Sequence, residues 1–272
     1  MSSLSEEVRK YSAVVLTGGS SGIGKAFIER VGTLHPGVPI CNLSRRVPDI
    51  NLAQLNLRQI HCDLSNSAQI EAAAAEVLCF LNEAIPSGPV LLINNSGFGA
   101  YGHFPEPNLA HHVEMIDVNV RAVVDLTGRL LPALKARGGT ILTVASTAAF
   151  QPTPYLATYG ATKAFVLHWS LALNEELRGT GLRTLAVCPG PTSTEFFLRA
   201  GLKKGAVTDS LGQTTEQVVN EALQALACGK ALVVTGWKNK LLTAFAGLLP
   251  KPWVTRVSAR VLARWRLGKV SP

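Results

Sequence analysis

Six short β-rich runs, most of them nearly continuous in apolar residues and most followed by a longer stretch of helical pattern, constrain this chain more than anything else in it. They are Ser12–Thr17, Val38–Ser44, Leu57–Cys62, Pro89–Ile93, Gly139–Ala145 and Arg183–Cys188. A strand with one wet face alternates apolar and polar residues, whereas a strand covered on both faces reads as a continuous apolar run. Strand and helix in alternation imply parallel pairing. The expected fold is therefore α/β, a single doubly wound parallel sheet with helices on both faces. Helical pattern begins at Lys25, covers Ser67–Ala84, runs from about Asn108 to Arg137 with soft interruptions at Gly128 and Pro132, and returns around Tyr159 and Lys163. The start, Met1 to Lys10, carries Glu6 and Glu7 and no apolar core, which suits neither a secretion signal nor an anchor. The mature chain is expected to begin at its own first strand.

The first strand breaks into Gly18-Gly19-Ser20-Ser21-Gly22-Ile23-Gly24 before a helix. Such a turn places glycine where the backbone bends sharply or approaches a phosphate, and the helix N-terminus adds unpaired N–H groups and positive potential. Strand, glycine turn and helix in that order point to a dinucleotide. The second strand ends in Ser44-Arg45-Arg46. An acidic residue there would hold a ribose 2′-hydroxyl, whereas arginine accommodates a 2′-phosphate, so NADP (NADPH) is the expected cofactor. Asp49 lies beyond Pro48, too late to take the acidic part. The fourth strand opens into Asn94-Asn95-Ser96-Gly97, small residues that let a backbone pass close to a ligand.

Tyr159 and Lys163 stand four apart, on one face of a helix, so the lysine ammonium is expected beside the phenol. A cation at that distance favours phenolate and brings a group that ionises near pH 10 toward acid/base use. Ser146 closes the strand Gly139–Ala145, at the carboxyl edge where ligands of an open α/β sheet bind. His111 and His112 are adjacent on a helix and point about 100° apart, so no shared metal is expected.

Together, Thr17-Gly18-x-x-x-Gly22-x-Gly24, Asp63, Asn94-Asn95-Ser96-Gly97, Asn119, Ser146, Tyr159-x-x-x-Lys163 and Pro189-Gly190-x-x-x-Thr194 make the chain resemble a short-chain dehydrogenase/reductase from about residue 12 to about residue 235. Ser96 stands where that family usually has alanine. The resemblance implies a Rossmann fold and an NADP-linked oxidoreductase with catalytic residues Asn119, Ser146, Tyr159 and Lys163. It implies cofactor contacts from Gly18, Ser20, Ser21, Gly22, Ile23 and Gly24 at the pyrophosphate, and from Ser44, Arg45 and Arg46 at the 2′-phosphate. Asp63 would meet the adenine, Asn95, Ser96 and Gly97 the ribose, Tyr159 and Lys163 the nicotinamide ribose, and Pro189, Gly190 and Thr194 the carboxamide end. Hydride passes to a carbonyl carbon, Tyr159 protonates the developing alkoxide, and Ser146 donates a hydrogen bond to the same oxygen. Asn119 would hold a water that links Lys163 to solvent. The family also pairs through the helices that here hold Asn119 and Tyr159, so a homo-oligomer, dimer or tetramer, is expected.

Phe98, Tyr101, Phe104, Phe150, Pro152, Tyr155, Phe196 and Phe197 fall in loops near the expected nicotinamide. Of these, Phe98, Phe150, Tyr155 and Phe196 are expected to touch substrate, a wall that suits an apolar carbonyl or alcohol. Two other classes are weighed: a regulator that senses NADPH without turnover, which the intact Ser146, Tyr159 and Lys163 oppose, and a membrane-surface protein acting through its tail. Cys41, Cys62, Cys79, Cys188 and Cys228 show no Cys-x-x-Cys spacing and suit reduced core thiols of a cytoplasmic protein.

Charge divides the chain into two segments, residues 1–236 and 237–272. Of the 26 basic residues, eight (Lys238, Lys240, Lys251, Arg256, Arg260, Arg264, Arg266 and Lys269) lie after residue 236, where there is no acidic residue. The remaining 18 balance all 18 acidic residues, which excludes a broad basic face for nucleic acid. Leu241–Leu249 is apolar but stops at Pro250, well short of the roughly 20 residues that span a bilayer. From Trp253 to Leu267, helical spacing gathers Trp253, Val254, Val257, Val261, Leu262 and Trp265 on one face, with Arg256, Arg260 and Arg264 along its edge and Arg266 beyond the other. This basic amphipathic C-terminal extension is expected either to make peripheral contact with an anionic membrane or to cover the substrate mouth.

Overall fold

The six β-rich runs form strands within two residues of their expected bounds, and a seventh strand joins them. The computed structural model describes residues 4–50, 55–84, 87–192, 200 and 212–264. β1 (Ala13–Thr17), β2 (Ile40–Ser44), β3 (Leu57–His61), β4 (Val90–Asn94), β5 (Gly139–Val144), β6 (Leu182–Cys188) and β7 (Leu232–Val234) lie in the order β3-β2-β1-β4-β5-β6-β7. Every pairing is parallel. The chain builds outward from β1 through β2 to β3, then returns to β1's other side with β4. That reversal leaves a crevice at the carboxyl ends of β1 and β4, the position where ligands of doubly wound sheets bind.

Alternate residues of β1 enter opposite cores, which is why the strand reads as continuous apolar sequence. Ala13 and Val15 pack with Ile70, Val77, Leu126 and Leu130, whereas Val14 and Leu16 pack with Phe27, Val31, Leu223 and Leu226. The first set comes from α3 (Ser67–Ala84) and α5 (Ala122–Arg137), the second from α2 (Gly22–Leu34) and α7 (Thr215–Ala227). Each fully buried Val, Leu or Ile side chain contributes about 1.5–3 kcal/mol, so both faces carry the fold.

Three features depart from the sequence expectations. A short helix, α1 (Leu4–Arg9), precedes the first strand. It buries Val8 against the α2 face, and its buried Glu7 accepts a 2.6 Å bond from Arg183 on β6. The long helical stretch breaks neither at Gly128 nor at Pro132: α4 (Leu109–Ile116) passes through a π-helical turn at Asp117–Arg121 directly into α5, which contains both residues. The wide turn carries Asn119 into the interior. Finally, Cys79 and Cys228 are exposed, so only Cys41, Cys62 and Cys188 are core thiols; all five are free.

β5 carries Ser146 two residues beyond its end, and its first residue sets the strand's position. Gly139 has φ +130° and lies so close to β4 that a Cβ would overlap the Val90 backbone. Gly139→Ala is expected to destabilise the protein by about 3 kcal/mol or more. Gly128→Ala, in α5 with nothing within 4 Å of its new methyl, is expected to stabilise by about 0.5–1 kcal/mol. Urea melts of the two variants check the pair; equal midpoints would contradict the close approach of β5 to β4.

Candidate active site

The crevice is one continuous cavity of about 850 Å³. It runs from the glycine turn past the carboxyl ends of β4 and β5 to two helices at the end of the described chain, α8 (Trp237–Leu248) and α9 (Lys251–Ala263). Gly18, Ser20, Ser21, Gly22, Ile23, Ser44, Arg45, Arg46, Asp63, Asn95, Ser96, Gly97, Ser146, Tyr159, Lys163, Pro189 and Gly190 all line it. Gly24 and Asn119 stand just behind that surface. Thr194 and Phe196, with Phe197, lie outside the described residues.

A polar brace holds the glycine turn open. Thr17 Oγ1 accepts from the Asn95 and Ser96 N–H groups (3.0 and 3.1 Å), and Asn95 Nδ2 donates to the Thr17 and Gly18 carbonyls (3.0 and 3.2 Å). On the other side Gly19 N–H donates to Asn42 Oδ1 at 2.9 Å. Gly18 and Gly22 take φ of +73° and +58°, and a Cβ on Gly24 would overlap the Gly18 carbonyl. Ser21, the N-cap of α2, is extended and makes no side-chain capping bond. The first-turn N–H groups of α2 therefore face the cavity without that cap, a cradle suited to the pyrophosphate of a dinucleotide.

At the far end of β2 the two arginines differ. Arg45 lies 3.8 Å from both Asp63 and Glu114, so its charge is shared between two carboxylates. Arg46 has no ion pair among the described residues. Ser44 lines the cavity, but its hydroxyl donates to the Arg46 carbonyl at 2.7 Å and accepts from Asn42 Nδ2 and Gln59 Nε2. That uses its full hydrogen-bonding capacity. Burial alone would raise the Asp63 pKa, yet the Ser65 N–H and hydroxyl, Arg45 and His61 outweigh it and hold the carboxyl below its ordinary range.

At the carboxyl end of β5, Ser146 caps a single 3-10 turn, Thr147–Phe150, its Oγ accepting from Ala148 N–H at 3.1 Å. It also hydrogen-bonds the Tyr159 phenol. Tyr159 and Lys163 rise from α6 (Ala157–Glu176). Contrary to the sequence expectation, the lysine does not lower the phenol. Tyr159 keeps some accessible surface where it lines the open cavity, yet it lies deep enough among protein atoms that burial pushes its pKa up to about 12, with only Ser146 pulling the other way. Lys163 is 5% exposed, its Nζ 5.9 Å from the Tyr159 ring centre and donating instead to the Val144 carbonyl at 2.8 Å. Burial brings its pKa down to about 8. At neutral pH the pair is a protonated phenol beside an ammonium.

Asn119 fixes the neighbouring loop: Nδ2 donates to the Phe98 carbonyl (2.9 Å) and Thr162 Oγ1 (3.0 Å), and Oδ1 accepts from Phe98 N–H (3.1 Å). Its Oδ1 and Lys163 Nζ converge on Gly97, each about 3 Å from where a Cβ would stand (3.0 and 3.1 Å).

Of the residues expected to touch substrate, Phe98 does line the cavity, while Phe150 and Tyr155 do not. Tyr155 packs with Tyr101, Leu156 and Leu262, its ring 5.9 Å from that of Tyr101. The Phe150 carbonyl accepts from Lys251 at 2.9 Å, and Tyr101 Oη donates to the Leu262 carbonyl at 2.6 Å. These loop aromatics seat α9 on the body. The apolar wall comes from elsewhere, chiefly Leu242 and Phe245 of α8, Leu249 just after it, and Trp253, Val257 and Val261 of α9. Gln151 also lines the cavity, and its Oε1 is buried with no hydrogen-bond partner among the described residues. Among those residues no His, Cys, Asp or Glu cluster could hold a metal; His112 is spent on Thr158 and the Glu106 carbonyl.

A family model described as short chain dehydrogenase matches residues 12–204. The sulfoacetaldehyde reductase of Chromohalobacter salexigens is 32% identical over 225 residues, covering 76% of this chain and 83% of that one. The uncharacterized oxidoreductase YbbO of Escherichia coli K12 is 29% identical over 272 residues, 95% of this chain and 93% of its own length. Among solved structures, a short-chain dehydrogenase from Sphingobium yanoikuyae in complex with NADPH superposes with a TM-score of 0.71 at 27% identity, over 87% of this chain and 94% of that one.

The buried lysine generates a stability prediction. Its pKa in the folded protein lies below the unfolded value of 10.5, so between about 8 and 10.5 the unfolded chain binds more protons and wild-type stability rises with pH. Lys163→Met is expected to stabilise the cofactor-free protein at pH 7 by about 1–3 kcal/mol. The gain should shrink as pH climbs through that window. Denaturant melts at pH 7 and pH 10 check it; a gain that grows with pH would contradict the burial of a charged lysine.

Proposed function

Since the chain belongs to the short-chain dehydrogenase family, we propose that this oxidoreductase uses NADPH to interconvert an apolar ketone or aldehyde and its alcohol. The observation that carries this reading is the meeting of two unlike surfaces in one cavity. A Ser146–Tyr159 pair with Lys163 behind it faces an apolar wall formed by α8 and α9.

The glycine turn fits the cofactor: its positive-φ positions, its close packing at Gly24 and the uncapped start of α2 leave a backbone cradle that side chains would fill. Ser20 to Ile23 would hold the pyrophosphate, Arg45 and Arg46 the 2′-phosphate, Asp63 the adenine end, and Ser96 with Gly97 the adjoining ribose. When bound, NADPH supplies a hydride. The protein's own part is proton handling. Ser146 and Tyr159 hydroxyls converge to bind the carbonyl oxygen, where two donors stabilise the charge that develops. Tyr159 is protonated at neutral pH, so it stands as the general acid when a carbonyl is reduced. Lys163, protonated below about 8 and held by the Val144 carbonyl, would meet the nicotinamide ribose. Asn119 orients Phe98 and the lysine's surroundings, leaving one Oδ1 lone pair for a water between it and solvent.

Leu109, Val113, Ile116, Val124 and Phe165 are exposed on α4, α5 and α6. This apolar strip supports a homo-oligomer built on the helices around the site.

NADPH is expected to bind more tightly than NADH. Arg46→Ala should cost roughly tenfold in NADPH affinity and Arg45→Ala less, because Arg45 is shared with Asp63 and Glu114. NADH affinity should hardly move. Fluorescence titration of both cofactors checks this; equal dissociation constants would contradict the assignment.

NADPH consumption with a panel of apolar ketones and aldehydes tests the reaction itself. On an accepted substrate, Tyr159→Phe is expected to lower kcat by roughly 100- to 10,000-fold with little change in NADPH affinity. Retention of a large fraction of activity would remove Tyr159 from the acid's role.

A further inference from the structure

α8 is built inside out. The residues it buries are polar, Asn239 and Thr243, with Asn239 packed over Gly190 and donating to the Thr235 carbonyl at 2.8 Å. Its apolar residues face away: Trp237 is 68% exposed, Leu241 52%, Phe245 63% and Leu248 82%. At about 100° per residue these four fall within one quadrant, roughly 180° from the buried pair. A helix that meets water on its free side has the opposite arrangement, because each exposed large apolar side chain forgoes its burial. α9 continues the surface. Trp253, Val257 and Val261 are exposed at i, i+4 and i+8, and Arg256, Arg260 and Arg264 run beside them with no ion pair among the described residues.

We propose that α8 and α9 dock this protein on an anionic membrane surface, with the cavity mouth between them turned toward the lipid. An exposed apolar face carrying indoles and edged by cations is what an interfacial helix presents to acyl chains and anionic headgroups. The charge selects this occupant. No acidic residue follows residue 236, so a second copy packed face to face through a two-fold axis would set arginine row against arginine row. Neither helix is long and apolar enough to cross a bilayer, so the contact is peripheral. Leu242, Phe245, Leu249, Trp253, Val257 and Val261 belong both to this surface and to the cavity wall. A lipid-soluble carbonyl compound thus has a continuous apolar route from the acyl layer to Tyr159. Docking stands on the helices alone; this route rests on the proposed reaction.

The full-length protein is sedimented with neutral phosphatidylcholine vesicles and with vesicles containing phosphatidylglycerol, at low and high salt. Pelleting with the anionic vesicles at low salt is expected, weakened by salt. The triple variant Trp237→Ser/Leu241→Ser/Leu248→Ser, whose changes are all exposed and outside the cavity lining, should lose at least about tenfold in partitioning. Arg256→Glu/Arg260→Glu should lose as much. Both variants are expected to keep wild-type circular dichroism, NADPH affinity and turnover of a small water-soluble ketone. Independently of any variant, brominated lipid is expected to quench the wild-type tryptophan fluorescence. Wild-type protein left in the supernatant, binding unaltered in the triple variant, or an oligomer that the triple variant splits without vesicle binding would each overturn the proposal. Failure of turnover with normal vesicle binding would count against the proposed reaction and leave docking intact.

Discussion

A buried lysine and a partly buried tyrosine are held side by side, and much of the site's architecture follows from accommodating them. An ammonium that is 5% exposed needs a fixed acceptor, which the Val144 carbonyl at the end of β5 provides. Its other flank is open because residue 97 has no side chain. The π-helical turn at Asp117–Arg121 brings Asn119 inward to hold the loop at Phe98. Strand end, glycine and widened helical turn are separate local choices with one shared requirement.

The dinucleotide end meets a different constraint. The turn is braced by Thr17, Asn42 and Asn95 side chains, of which Asn42 takes the Gly19 N–H, while the first-turn N–H groups of α2 keep no side-chain cap. Because those braces arise on or just after three adjacent strands, the parallel register of β2, β1 and β4 is also the register of the cradle.

Much of this is legible in the sequence. Continuous apolar runs report burial on both sheet faces, and the spacing of Ser146, Tyr159 and Lys163 reports a shared edge and a shared helix face. β7 escapes because three residues carry no periodicity, and α1 because a single buried turn anchored by Glu7 has no pattern of its own. Phe150 and Tyr155 are near the site in sequence, but composition does not say which way a loop aromatic turns; they seat α9 instead of lining the cavity. In the tail, the apolar run Leu241–Leu249 does not say which way the side chains of α8 look. Only the burial of Asn239 and Thr243 decides that. The charge of Lys163 is visible in the sequence, whereas the burial that raises the Tyr159 phenol is a property of the folded site.

That last point is the centre of the account: desolvation outweighs the Ser146 hydrogen bond and keeps the phenol protonated. Ultraviolet titration of phenolate in the cofactor-free wild type, with Tyr159→Phe subtracted and circular dichroism confirming the fold at each pH, measures it directly. The account predicts that Tyr159 contributes no phenolate up to about pH 11, with ionisation near 12. A Tyr159 phenolate titrating below pH 10, the ordinary value for the side chain, would contradict it and return control of the proton to Lys163.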